Sequence, residues 1–357
     1  MWKKDSTLVV VIAIIVSLGL LVLSSLSVQE DPPFSSLKRQ IIFLLGALLC
    51  CLFFSNLDWR IFTNSFVLVL YYLSCLSLVL VLFIGTRTKG AAGWFSFGPF
   101  HLQPVEFTKI ILILLLARYL ADHHKELKQL RHLFVTGCYT LVPAVLLMAQ
   151  PDLGGALVIL AIWLVLVLIS GIRFQQIILL GTIFILVAIV VWFFFLKPYQ
   201  QARIINFLNP QHDPLGIGYN RKQALIAIGS GQLLGKGLGW GTQTHLLFLP
   251  LAKTDFIFAA LAEELGFLGV IILLGSFGIL CYRLLFWAES FNSNFPKLFT
   301  IGFTVKLLLE VFINIGMNIG LLPIVGIALP FLSLGGSHLL ADFWGLGIVF
   351  SMIKYKN

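Results

Sequence analysis

Asp255 is the side chain in this sequence whose neighbours most suggest chemistry. It stands where a Gly-rich, non-apolar stretch, GSGQLLGKGLGWGTQTHLLFLPLAKT (229–254), meets an apolar helical run beginning at Phe256. A carboxylate flanked there by Leu249, Pro250, Phe256 and Phe258 is partly desolvated, as suits a general base. The competing assignment makes Asp255, helped by Thr254, the N-cap of that helix, and the two roles are not exclusive. Glu263 and Glu264 follow two turns further in. Ionisable groups within an apolar span are costly, and are functional candidates for that reason.

Other charges fall into pairs or turns. Glu106 and Lys109 lie three apart in a helix that starts after Pro104, so they share a face, either as a structural ion pair or as a pair lining a cleft. Lys306 and Glu310, four apart, pose the same question. Asp152 in QPDLGG fits a turn and helix N-cap, with a place on a cleft wall as the second reading. Arg203 in QARIINFLNP suits a phosphate or carboxylate partner, or simple snorkelling at the membrane surface. The glycines of 229–241 form neither G-x-G-x-x-G nor G-x-x-x-x-G-K-[ST] and follow no predicted strand, which excludes a nucleotide loop. They serve tight turns or cradle phosphates with backbone N–H groups. The seven histidines show no zinc-ligand spacing.

The elements that must position these groups are membrane helices. The chain of 357 residues is 59% hydrophobic and 11% charged, against about 25% charged in a soluble domain. Apolar runs near 20 residues predict an all-α integral membrane protein with about ten spans: 7–28, 40–57, 64–85, 104–121, 133–150, 153–171, 176–196, 256–284, 298–320 and 334–353. The first is read as a retained helix, not a cleaved signal. The net charge of +9 is scattered over loops without a basic stripe, so it speaks for topology and lipid headgroups and against nucleic acid. Lys and Arg in the short connections favour the N-terminal side twelve to four, which puts both termini in the cytoplasm. Three Gly- or Pro-rich segments then fall outside: 85–106, the large loop 198–255 between helices 7 and 8, and 321–337. Together they suggest a shared extracytoplasmic cleft. Within the large loop, 219–231 has helical spacing and is expected to lie at the interface. The five cysteines all sit in apolar runs and read as small core residues. No separate soluble domain is apparent, so 1–357 is expected to be one transmembrane domain.

The sequence carries the motifs GAAGW (90–94), LQPVEFTK (102–109), QPDLGGALV (150–158), RIINFLNP (203–210), YNRKQALIAIGSGQLLGKGLGWGTQ (219–243), FLPLAKTDFIFAALAEELGFLG (248–269) and NIGMNIGLLPIVGIALPFLSLGGS (314–337). The chain resembles the SEDS family (shape, elongation, division and sporulation) over nearly its whole length, and within it the RodA-like branch. The resemblance implies a peptidoglycan glycosyltransferase that polymerises lipid II at the outer face of the bacterial cytoplasmic membrane. It implies a class B penicillin-binding protein as partner, beside other elongation-complex membrane proteins. It places the essential acid at Asp255 and substrate contacts at Glu106, Lys109, Asp152, Arg203, Trp94, Lys236 and Thr254. Gly93 before Trp94, Val105, Leu334 and His338 depart from the family's usual residues. The RodA-like assignment rests on a compact chain, VGIALPFLS and the short LDWR turn.

The expected chemistry is attack of a GlcNAc 4-hydroxyl on the anomeric carbon of a lipid-linked MurNAc, with Asp255 taking the proton. Arg203, Lys109, Lys236 or a divalent cation (Mg or Mn) held by carboxylates would neutralise the departing pyrophosphate. An α-linked donor and β-linked product imply one inverting displacement. The rival functions are a flippase for the same lipid-linked precursor, an FtsW-like division polymerase, and a non-catalytic scaffold. No pair of matching broken helices supports a transporter, and a scaffold leaves Asp255, Glu106 and Lys109 unexplained.

Overall fold

The computed structural model describes residues 5–28, 30–88, 91–97, 100–124, 126, 129–196, 200–202, 205, 207 and 217–356. Eight helices within these are long and apolar enough to cross a membrane. They are α1 (Ser6–Leu26), α2 (Ser35–Asn56), α3 (Phe66–Ile84), α5 (Leu130–Ala149), α7 (Phe174–Val190, continued by a π turn to Phe195), α10 (Ile257–Ser290), α11 (Asn294–Asn318) and α12 (Gly336–Lys354). Two further helices, α4 (Pro104–Asp122) and α6 (Leu153–Ile169), complete the expected ten. The protein is therefore a multi-pass helical membrane protein. α8 (Ile217–Ser230) and the short α9 (Thr242–His245) belong to the large loop before α10, and α8 matches the helix expected at 219–231.

Local chemistry starts several of these helices. Asp5 accepts from Leu8 N at 3.2 Å and caps α1. Asp152 accepts from Gly155 N at 2.8 Å and caps α6, as its Pro-Asp turn predicts. Pro104 opens α4 at its first turn, where its missing N–H has no helical partner to lose. α4 carries Glu106, Lys109, Arg118 and Asp122, yet it is buried along most of its length. It packs between α3, α6, α11 and α12, so its buried charges, Glu106 and Lys109, must be matched by protein and not by water.

The Gly-rich connection 85–106 reads in sequence as an irregular loop. It is instead a three-stranded antiparallel meander: β1 (Thr86–Thr88), β2 (Ala91–Phe97) and β3 (Phe100–Leu102), with Trp94 opposite Thr86 and Phe95 opposite Leu102. The segment is rich in Thr, Trp and Phe, which favour pleated structure. Its glycines masked that signal in the sequence. The cysteines are free, and only Cys51 and Cys281 are core residues; Cys138 is exposed on α5, toward lipid, contrary to expectation.

α10 is the element that sets up the site. Gly266 has φ 65° and ψ −165°, which breaks the helix inside its apolar run. The turn before α9 is stitched into the break. Lys236 N and Gly237 N donate to the carbonyls of Glu263 and Glu264 at 2.9 and 3.1 Å. The freed N–H groups of Phe267 and Leu268 donate to Gln232 and Leu233 at 2.8 and 3.1 Å. These are the four groups that would have paired with one another in an unbroken helix. Loop backbone thus replaces a helical turn and pairs all four of these groups.

Candidate functional site

Three carbonyls in a row hold the segment that carries Asp255. Leu334 N donates to Lys253 O at 2.9 Å, Ser333 Oγ to Thr254 O at 2.8 Å, and Asn314 and Asn318 Nδ2 to Asp255 O at 3.1 and 3.0 Å. The Lys253 ammonium adds an ion pair of 2.5 Å to Glu30 in the α1–α2 turn. Burial resists ionisation of Glu30, but hydrogen bonds from Lys253, Ser36 and Ser35 outweigh it and bring the carboxyl down to about 2. Asp255 itself is buried, and a Cβ on Gly326 would lie 3.8 Å from its Oδ2, so the carboxylate faces the strap that joins α11 to α12.

Asp255 does not cap α10. Phe256 occupies the N-cap position with no side-chain cap bond, and the Thr254 hydroxyl turns back to Leu251 O at 3.4 Å. A neighbouring helix supplies the cap: Asn318 Oδ1 accepts from Ala259 N at 3.2 Å. The local capping assignment is thereby overturned, because a residue 59 positions away satisfies the helix start.

The buried charges form one ladder. Lys109 Nζ lies 2.8 Å from Glu106 Oε2, without hydrogen-bond geometry, and donates to Glu106 Oε1 at 2.9 Å and Glu310 Oε1 at 2.6 Å. Lys306 Nζ lies 2.9 Å from Glu310 Oε2 and also pairs with Asp342, whose Oδ2 accepts from Phe331 N of the strap at 3.4 Å. Three carboxylates and two ammonium groups give a formal charge of −1. Sequence spacing foresaw the pairs 106–109 and 306–310. It missed Asp342, although a lone acid in the last apolar run was the available signal. It also missed that Lys306, Glu310, Asn314 and Asn318 recur every four residues, a polar stripe on one face of α11. That stripe leads from the ladder to the Asp255 backbone.

Asp152 lies on the same strap. A Cβ on Gly154, two residues on, would sit 3.1 Å from Val325 O and 3.2 Å from Ile327 Cγ1. Burial pushes the Asp152 carboxyl above the usual carboxylate range, against the Gly155 N–H and the Lys109 charge. The structure therefore brings Asp255, Asp152, Glu106 and Lys109 around the strap and the start of α4. Trp94 is half-buried in β2. Lys236 goes elsewhere: its ammonium pairs with Glu263 at 3.1 Å and donates to Thr242 Oγ1 at 2.6 Å. Glu263, fully buried, also accepts from Gln243 N and Thr244 N at 2.9 and 3.1 Å, which ties α9 to α10. Glu264 accepts from Ser25 and His245 at 2.5 and 2.9 Å and ties both to α1. Arg203 lies outside the described residues. Among the described residues no three His, Cys, Asp or Glu side chains gather as metal ligands, and the ladder carboxylates already hold lysines. That donor set does not fit a resident divalent cation.

Membrane-crossing helices packed around a buried polar stripe, with a clamped carboxylate where a polar loop meets the bundle, define a polytopic membrane protein with a buried polar site. The chain belongs to the FtsW/RodA/SpoVE family of cell cycle proteins, whose model matches residues 5–357. Over 99% of its length it is 34% identical to the stage V sporulation protein E of Bacillus subtilis, covering 98% of that protein. Over its full length it is 35% identical to the peptidoglycan glycosyltransferase MrdB of Escherichia coli, covering 96% of it. It also resembles a chain in the solved structure of a peptidoglycan synthase complex that coordinates polymerization and crosslinking. That match has TM-score 0.83 and 33% identity, and covers 99% of each chain.

Proposed function

We infer that the protein is a peptidoglycan glycosyltransferase that polymerises lipid II, with Asp255 as its general base. The observation that carries the catalytic assignment is the clamp on residues 253–255, each of whose carbonyls is held. Preorganisation of this kind suits a group that must meet a hydroxyl in fixed geometry. Asp255 takes the proton from the acceptor 4-hydroxyl as that oxygen bonds to the anomeric carbon from the face opposite the diphosphate. Asp152, Trp94 and Thr254 line the approach. Lys109 serves as an internal counter-charge for Glu106 and Glu310 more than as a leaving-group clamp, because the ladder around it is already net negative.

The glycosyltransferase MrdB among its relatives favours this reading over a flippase. Identity does not separate the branches, at 34% and 35% for the two relatives. The elongation role follows from the RodA-like sequence features. A crosslinking enzyme of the class B penicillin-binding type is the fitting partner, in keeping with the synthase complex that the fold resembles. The charge bias places both termini in the cytoplasm and the Asp255 cleft outside the bacterial inner membrane.

The test is polymerisation of labelled lipid II by purified protein, with and without a partner. Asp255→Asn and Asp255→Ala should both fold like the parent, since backbone carbonyls make the clamp on 253–255, and both should lose about 10²–10⁴-fold in rate. Glycan synthesis by Asp255→Asn within a few-fold of the parent would remove this residue from the mechanism.

A further inference from the structure

We propose that the Arg221 guanidinium, on α8, binds the diphosphate of the lipid-linked donor; the assignment of that ligand rests on the polymerase reading above. The lysines around the cleft are committed. Lys109 lies between Glu106 and Glu310, Lys306 between Glu310 and Asp342, Lys236 on Glu263 and Lys253 on Glu30. Arg221 differs from all four. Its Nη2 donates to Gly320 O at 2.7 Å and its Nη1 to Phe207 O at 3.2 Å, and its guanidinium carbon stands 5.5 Å from the Phe207 ring centre. Among the described residues no carboxylate pairs with it.

The position is built for a guanidinium. Gly320 has φ 74°, and a Cβ there would lie 2.6 Å from Arg221 Nε and 3.0 Å from its Nη2. Gly320 follows directly on the end of α11, so Arg221 meets the negative end of a helix dipole. That amounts to about half a charge and cannot balance a full one. Two of the five N–H donors are used and three remain, enough for the two-point hydrogen bonding that a phosphate favours. The place is also right. Gly320 is two residues beyond Asn318, whose amide holds the Asp255 carbonyl at 3.0 Å. Arg221 therefore sits between the large loop and the α11–α12 strap, two of the outer segments that enclose the cleft.

In the transfer, the bond from the anomeric carbon to the diphosphate oxygen breaks as the bond to the acceptor oxygen forms. The electron pair stays on the diphosphate, the acceptor proton goes to Asp255, and the anion formed remains against Arg221. A diphosphate, free or lipid-linked, presents the same chemistry. An anionic lipid headgroup presents a single phosphodiester.

The experiment uses the full chain in phosphatidylcholine nanodiscs and reads binding of undecaprenyl pyrophosphate, inorganic pyrophosphate and added phosphatidylglycerol by ligand-induced thermal shift. The parent should bind both diphosphates, and phosphatidylglycerol should not compete. Arg221→Gln should weaken both diphosphates about tenfold to a hundredfold, the loss of a charge-assisted hydrogen bond. Arg221→Lys, which keeps the charge without the fork, should lie between. Unchanged affinity in Arg221→Gln overturns the proposal, as does equal competition by phosphatidylglycerol. So does a fall in unliganded melting temperature in both variants with diphosphate affinity retained, which would make Arg221 a helix cap only. The two readings separate cleanly. Arg221-dependent diphosphate binding without polymerisation by the parent would sink the function and keep the site. Polymerisation by Arg221→Gln with unchanged KM for lipid II and unchanged inhibition by undecaprenyl pyrophosphate would do the reverse.

Discussion

Lys306 has no solvent exposure, and neither has its partner Asp342. Burying charges costs several kcal/mol per ion, so such a pair persists only where every member is matched. Lys306 is matched twice, by Glu310 and Asp342, and Glu310 in turn by Lys109. Lys306→Met should therefore destabilise strongly, by about 3–5 kcal/mol, because it strands Asp342 and leaves Glu310 to share Lys109 with Glu106. The double variant Lys306→Met/Asp342→Leu removes one charge of each sign and leaves Glu310 on Lys109. It should recover more than half of the loss. Thermal unfolding of the purified variants in detergent checks both. A double variant as unstable as the sum of the two single ones would show that the pair does not act as a unit.

At the scale of elements, the break in α10 joins loop to membrane. Beyond Gly266 the stretch 267–290 spans about 36 Å at 1.5 Å per residue, enough by itself to cross a hydrocarbon core of about 30 Å. The turns 257–265 are thus available to carry the Asp255 segment and the stitched loop. The stitch depends on close backbone approach: at Gly235, φ 82°, an added Cβ would lie 2.5 Å from the Glu264 carbonyl carbon and 2.7 Å from Gly266 N. Gly239 shares that φ of 82° but has nothing within 4 Å of an added Cβ. Gly239→Ala should cost only the left-handed backbone penalty, about 1–2 kcal/mol. Gly235→Ala adds a backbone collision and should unzip residues 231–239 from α10. Limited proteolysis of the loop, compared between the two alanine variants, reads the difference; equal cleavage rates would argue that the loop is not held by this stitch.

For the whole molecule, the open question of chemistry is which side the cleft faces. From the twelve-to-four bias of Lys and Arg we propose that the termini lie inside and the large loop outside. In a cysteine-free background, a cysteine at position 212 should react with a membrane-impermeant maleimide added to intact cells. Labelling only after the cytoplasmic side is opened would reverse the orientation and remove the cleft from an external substrate.

The amino-acid sequence by itself determined the ten spans, the Asp152 cap, the pairings of Glu106 with Lys109 and Lys306 with Glu310, and the place of Asp255 at a loop–helix join. Each depends on residues within a turn or two of one another, and 3.6-residue periodicity carries that information directly. Only the tertiary structure decided that Asn318 and not Asp255 serves the start of α10, that Asp342 completes the charge ladder, and that the glycine loop enters the helix at Gly266. The same holds for Lys236, drawn to Glu263, and for Arg221, set against Gly320. A local pattern specifies which face of a helix must be buried but not which neighbour buries it. In a membrane interior nearly every apolar face is acceptable, so the few buried polar groups choose their partners by packing across the bundle.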